Sequence, residues 1–445
     1  MRQSRNSGSR RSGRGNPAEL DRFRVPMNFP WLIGVYLGVN AVRDAYALVD
    51  GPDCALYKAH FIHGRHDAAS TLLDVGGRHR IAFTNVCSRG VVRHHDEVVA
   101  RHLRVLDALP GSGLLLATAL PMCSVTGTDY GRILRDHRSE FRKPALEVRP
   151  SSLLGDWLDG YAATLEALAR GLDLDGGGRR RRTAAVVGYL WDRNEGDHRG
   201  NLAELRRIFG ALDLDLVSVW LGGGSAEDLR RAGTAELVVS LPYGRRAART
   251  VARRTGARLV EADLPFGLPA TAAFVRRVAE AAGRGARGEA FLDGELRRVV
   301  PRLRSVLDPL FLHRRVAFVG DPHRLAGFCD LADDCGMTLV GAIVTGRPGH
   351  GGAREGRTVL FEPPEDGVEA GRVLGAADFV VGSRATRGLL AEAGPHPQYP
   401  WWVEFGFPSY EHHALVERPF LGCDGALALV ERMADCLYRL DGSRR

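Results

Sequence analysis

The segment TAAVVGYLWDRNEGDHRGNLAELRRIFGALDLDLVSVW (183–220) holds a strand-length apolar run at 183–190, a polar turn, an amphipathic stretch from Asn201 to Leu212 and a second apolar run at 214–220. Strand, helix and strand in that order form the unit from which parallel sheets are wound. The alternation continues with AELVVSL (235–241), ARLVEADL (257–264) and a helix-rich bridge over about 270–312. A further block carries RVAFVGD (315–321), a helical stretch from Arg324 to Cys335, TLVGAIV (338–344), TVLFE (358–362), DFVVGS (378–383), WWVEFGFP (401–408) and a closing helix from Gly425 to Leu440. Upstream, a helix over Trp31 to Val42 leads to AYALVD (45–50), IAFTNV (81–86) and GLLLATAL (113–120), with helical stretches near 95–108, 127–138 and 153–170.

This pattern predicts an α/β protein of three doubly wound Rossmann-like domains with mainly parallel sheets. The polar linker DGGGRRRR (175–182) marks the first boundary. The expected division is a disordered basic leader at 1–18, then domains at 19–178, 179–312 and 313–445. At 445 residues the chain has room for several domains, each with its own core.

The net charge is +8, and Arg2, Arg5, Arg10, Arg11 and Arg14 of the leader supply +5 of it. Lys58 and Lys143 are the only lysines among 61 basic residues, so the arginine excess reads as codon bias. A basic footprint confined to a leader, and not spread over a folded face, argues against a nucleic-acid partner. No apolar run reaches the roughly 18–20 residues of a membrane span, so no membrane association and a cytoplasmic location are expected.

Seven cysteines are too few for a disulfide scaffold. Cys54 lies four residues beyond the run ending at Asp50, Cys87 directly follows the run ending at Val86, and Cys123 lies three beyond the run ending at Leu120. Parallel strands point one way, so their exits line one edge, where open α/β sheets bind ligands. Three thiols converging there suit an iron–sulfur cluster or zinc; three unrelated core residues at strand ends would share the spacing. Cys329, Cys335, Cys423 and Cys436 sit in or beside helical stretches and are expected to be packing residues.

Around these cysteines, GPDCALYKAHFIHGRHD (51–67), LPMCSVTGTDYGRIL (120–134) and ALEVRPSSLLGDWLDGYAATLEAL (145–168) resemble the cluster-ligand segments, and the segment after them, of the nitrogenase component 1 superfamily. GYLWDRNEGDHRGNLAELRRIF (188–209) and GDPHRLAGF (320–328) resemble its second- and third-domain openings. FGFPSYEHHALVERPFLGCDGALAL (405–429) is similar to the closing segment of the β-type subunit. The order and spacing of these segments carry the resemblance. FTNVCSRGVVRHHDE (83–97) departs from it, because Cys87 comes late for the usual second ligand.

The resemblance implies a subunit of a nitrogenase-like oxidoreductase that works with a homologous component 1 subunit, as a homo- or heterodimer or higher. Its iron–sulfur cluster, [4Fe-4S] or larger, would be held by Cys54, Cys87 and Cys123 and shared with that partner, since a cubane takes four ligands. Electrons would come from a separate ATP-hydrolysing iron–sulfur reductase and pass to a small-molecule substrate. The chain has no G-x-x-x-x-G-K-[ST] phosphate loop, and glycine-rich GHGGAREG (349–356) lacks the lysine. VVSLPYGRR (238–246), matching the stretch where the α-type subunit places a cofactor-binding cysteine, has none, which counts against an iron–molybdenum type cofactor here.

His412 and His413 are candidate substrate-pocket acids or interface residues, and the turns DRNEGDHRGN (192–201) and WLGGGSAED (220–228) candidate edges for an anionic or tetrapyrrole substrate. Competing functions are a scaffold for metal-cofactor assembly without turnover of its own, and a two-Rossmann glycosyltransferase with unremarkable cysteines.

Overall fold

A computed structural model describes residues 29–59, 69–73, 79–86, 96–125, 127–151, 154–174, 178–350, 358–361, 367–392, 400–410 and 412–442. Thirteen strands among them form three sheets in which every pairing is parallel. The first contains β1 (Ala45–Asp50), β2 (Ile81–Phe83), β3 (Leu114–Ala119) and β4 (Ala145–Glu147), in the order β2-β1-β3-β4. The second contains β5 (Thr183–Val187), β6 (Asp215–Val219), β7 (Leu237–Ser240) and β8 (Arg258–Glu261), in the order β6-β5-β7-β8. The third contains β9 (Arg315–Gly320), β10 (Thr338–Val344), β11 (Val359–Phe361), β12 (Phe379–Gly382) and β13 (Trp401–Glu404), in the order β11-β10-β9-β12-β13.

All three sheets place their first strand inside and reverse winding direction beside it. The reversal falls between β1 and β3, between β5 and β7, and between β9 and β12. At such a switch point two connections leave in opposite directions and open a crevice beyond the strand ends. The strand runs are apolar along their whole length because helices cover both faces, and every residue of β1, β3, β5, β7 and β12 is buried.

Ten helices carry the rest of the account: α1 (Trp31–Asn40), α2 (Cys54–Ala59), α3 (Pro121–Ser124), α4 (Tyr130–Asp136), α5 (Trp157–Gly171), α6 (Gly196–Ala211), α7 (Leu268–Ala281), α8 (Gly285–Val306), α9 (Pro322–Asp334) and α10 (Gly422–Gly442). All ten residues of α1 are buried, and it packs along α5. The two backbones meet at glycines: a Cβ on Gly34 would stand 1.7 Å from the Trp157 carbonyl oxygen, and one on Gly160 1.9 Å from that of Trp31. Only glycine permits that approach.

The closing helix α10 packs against β13 of the sheet that precedes it and reaches beyond that sheet to α6, α7 and α8. One apolar core therefore runs from Phe29 to Leu437 through all three sheets. Two smaller clusters cover outer faces of the first and third sheets. Among the described residues no helix is long and apolar enough to cross a membrane.

The elements depart from the sequence reading in three places. Strand β4 falls in a stretch not predicted as a strand, and α6 starts at Gly196 instead of Asn201. The run IAFTNV yields a strand of only three residues, because Asn85 turns to a left-handed φ of 56° and Thr84 is drawn aside by Asp50.

Candidate functional site

At the switch point of the first sheet, β1 and β3 lie side by side with Asp50 in register with Ala119, and Leu120 N donates to Asp50 O at 2.9 Å. The chain leaving β1 turns at Gly51 and starts α2 at Cys54. The chain leaving β3 enters α3, whose first position is Pro121, a residue suited to a place where no N–H donor is needed. Cys123 lies inside that short helix. Two cysteines 69 positions apart thus leave adjacent strands on the same edge.

Cys54 is exposed and Cys123 is completely buried. Burial, then the charges of Asp50 and Cys54, push the Cys123 thiol up to about 12, so the bare thiol stays protonated at neutral pH. The Cys123 thiol is therefore a poor nucleophile, whereas metal coordination removes the proton outright.

Asp50 organises this edge. Its carboxylate accepts from Thr84 Oγ1 at 2.6 Å and Tyr130 Oη at 2.6 Å, while Gly51 N donates to Thr84 Oγ1 at 3.0 Å. Tyr130 opens α4 and Thr84 follows β2, so one buried carboxylate joins the exits of three strands. Burial, and next the Asp50 charge, keep the Tyr130 hydroxyl protonated far beyond neutrality. Tyr36 of α1 donates to Ala55 O at 2.8 Å and pins α2 from the other side.

The switch points of the second and third sheets face each other across a different interior. Asp192 and His198 are fully inaccessible, and Arg193 and Arg324 nearly so. His198 Nε2 lies 2.6 Å from Asp192 Oδ1, Arg324 Nη2 donates to Asp192 Oδ2 at 3.2 Å, and Arg193 Nη1 is 3.2 Å from Asp192 Oδ1. Arg193 also pairs with Asp197, and Arg324 Nε with Asp321 at 3.1 Å. Burial alone would raise the Asp192 pKa; His198, Arg193 and Arg324 hold it far below the carboxylate range instead. Tyr243 donates to Asp321 Oδ1 at 2.7 Å, and the Arg324 guanidinium lies 4.7 Å from the Phe420 ring centre.

A third polar cluster ties the first sheet's unit to the third. His350 Nε2 lies 2.9 Å from Asp156 Oδ1 and 3.6 Å from Asp159 Oδ2, a grouping that by geometry could receive a cation. The acceptors are already in use: Asp156 caps α5 through Leu158 N and Asp159 N and also accepts from Arg347 N, while the Arg347 guanidinium pairs with Asp159. A second cation would meet that guanidinium. The cluster is an inter-unit tie.

The family described as Nitrogenase component 1 type Oxidoreductase matches residues 31–438. The chain belongs to this family. It is 22% identical over 328 residues to the nitrogenase molybdenum-iron protein beta chain of Clostridium pasteurianum, covering 66% of this chain and 68% of that one. It is also 31% identical over 175 residues to one subunit of the light-independent protochlorophyllide reductase of Methylobacterium radiotolerans, covering 39% of this chain and 31% of that one. A solved structure titled Nitrogenase Cp1 at pH 6.5 shares the fold with a TM-score of 0.76 at 16% identity, over 94% of both chains.

In this component 1 chain, the three predicted sulfur donors meet different outcomes. Cys54 and Cys123 share one edge, close enough for a charge on Cys54 to act on the Cys123 thiol. Cys87 lies outside the described residues, four positions beyond the end of β2 and not directly after the strand as the run IAFTNV suggested. Cys329, Cys335 and Cys423 are buried in the main core, and Cys436 packs against it.

Neither turn expected to admit a substrate edge is open. Asp192, Arg193, Asp197 and His198 pair with one another and with Arg324, Asn194 bonds Trp191 and Asn40, and the 220–228 turn is tied to the first unit through Gly223 N to Ala41 O at 2.9 Å and Ala226 N to Asp44 Oδ1 at 2.8 Å. His413 Nδ1 lies 2.6 Å from Glu195 Oε1, so it is held to the 195 turn, whereas His412 is exposed. Sequence reading missed Asp50, Thr84 and Tyr130. Asp50 had a signal, a carboxylate closing an otherwise apolar strand; Thr84 and Tyr130 had none, because only the sheet brings them 34 and 80 positions to meet it.

Proposed function

We propose that this chain is a subunit of a nitrogenase-like oxidoreductase in which Cys54, Cys87 and Cys123 hold an iron–sulfur cluster, [4Fe-4S] or larger, shared with a homologous partner subunit. Electrons reach it from a separate ATP-hydrolysing iron–sulfur reductase and leave to a small-molecule substrate. The observation that carries this reading is the pair of thiols delivered by adjacent parallel strands to one edge, one fully buried and one facing out. Soft sulfur donors at a sheet edge suit iron–sulfur chemistry, and an exposed ligand leaves room for a second chain to complete the set. When bound, such a cluster supplies one-electron transfer. The chain's own residues set its surroundings: Cys123 provides a ligand shielded from water, and Thr84 and Tyr130 hold the Asp50 carboxylate in one place beside it.

The protein purified anaerobically from the cells that make it, with its accompanying chains, should contain about four or more irons per chain pair and absorb broadly near roughly 400 nm. Cys54→Ala and Cys123→Ala should each lose iron, acid-labile sulfide and colour while the chain stays folded. A folded, iron-free wild type from that preparation would remove the electron-transfer reading and leave the family and fold untouched.

A further inference from the structure

Between the segment 412–420 and α10 lies a cavity of about 260 Å³, just below the usual range for drug-sized ligands. Leu415, Val416, Phe420 and Leu429 give it apolar walls, and His412 and Arg432 stand at its polar end. Leu415 and Val416 are 91% and 64% exposed, an apolar rim that no other described residue covers.

At the polar end Arg432 has no contacting carboxylate among the described residues. Arg432, half-buried, donates one hydrogen bond, to the backbone oxygen of Glu404, and among the described residues no carboxylate lies within 4.0 Å of it. Asp197, the lining carboxylate, is already paired with Arg193, and lining Arg418 is turned to Glu431 at 3.1 Å. Burial lowers the Arg432 pKa, with Arg193 adding to it, while the Asp197 and Glu404 carboxylates act against it without touching the guanidinium. A guanidinium taken partly out of water without an anion is costly, and a carboxylate meets its fork with two parallel hydrogen bonds.

We propose that this cavity is a binding site for a small monocarboxylate with an apolar body, its carboxylate on Arg432 beside His412 and its tail against Leu429, Phe420, Leu415 and Val416. The site is separate from the thiol edge and stands whether or not Cys54 and Cys123 hold a cluster. The guanidinium without a contacting carboxylate selects an anion, the small cavity volume a single short chain, and the apolar walls an aliphatic or aromatic tail over a polar one.

Octanoate is the probe, titrated calorimetrically into the purified protein, with octanamide as its neutral counterpart. Saturable one-to-one binding is expected, at least about tenfold tighter for octanoate than for octanamide. Arg432→Met should weaken octanoate at least about tenfold and bring it level with octanamide. Ala428→Trp, which fills the cavity and keeps the charge, should abolish both. No octanoate binding to the wild type, or equal binding of acid and amide, overturns the proposal, as does binding that survives in an Ala428→Trp protein with wild-type circular dichroism. Should Arg432→Met fail to fold, the acid–amide comparison on the wild type decides alone.

Discussion

The thiol edge of the first sheet and the charged interior between the second and third sheets are both switch-point crevices, yet they are built in opposite ways. In the interior every ionised group has an opposite charge within reach: Asp192 meets His198, Arg193 and Arg324, and Arg324 also meets Asp321. At the edge, one carboxylate is saturated by two hydroxyls and the two thiols beside it are left reduced and unbonded to each other. Buried charge therefore does not by itself mark a reactive centre. A network whose acceptors are full holds the fold together, and chemistry is to be sought where soft donors converge on one edge.

The largest effect that tests this contrast is expected from Arg324→Met. It leaves Asp321 without its ion-pair partner and takes one of three cationic partners from Asp192 in an inaccessible interior, and should cost about 3–5 kcal/mol, read as a fall in the urea midpoint or as loss of folded protein. An unchanged midpoint would mean that water or a ligand reaches this interior, and the contrast would collapse.

The tie between His350 and Asp156 and Asp159 sits between the extremes, because it is only partly buried. Burial alone would lower the histidine pKa, but the two carboxylates raise it to about 9 from an ordinary 6.5. Its stabilisation is complete below about pH 6.5, amounts to up to about 3 kcal/mol, and is lost as pH rises through about 9. For Asp159 burial raises the pKa, but His350, the Asp156 backbone and Arg347 bring it down to about 2, so its share is lost on the acid side, as pH falls from the ordinary 3.8 toward about 2. Thermal denaturation of wild type and His350→Gln should diverge at neutral pH and converge by about pH 10. A constant gap across that range would show that the tie is neutral packing.

The smallest stability effect belongs to Cys54→Ala. Losing an exposed side chain at a helix start should cost the metal-free chain under about 0.5 kcal/mol in urea denaturation, whereas on the proposed reading the same change should remove the iron. A large cost would make Cys54 a structural residue and weaken its reading as a ligand.

Much of this was legible along the chain. Apolar runs at 45–50, 113–120, 183–190 and 315–321 became the inner strands, because strands covered on both faces admit almost no polar residue. Cys54 and Cys123 were legible as a pair for the same reason: strand exits in a parallel sheet share an edge. DRNEGDHRGN was read as an open turn, since a cluster of charges in a strand-exit turn normally faces water. Arg324, 132 positions away, closes it.

Sequence alone determined the three-sheet α/β architecture and that Cys54 and Cys123 lie beyond the ends of adjacent strands, because alternation and strand direction are local properties of the chain. Tertiary structure alone decided that Asp50 gathers Thr84 and Tyr130, that DRNEGDH is met by a cation from another sheet, and that Arg432 has no contacting carboxylate among the described residues beside an apolar cavity. Those are matters of which partner stands within about 3 Å, and that distance is set only when segments remote in the chain have packed.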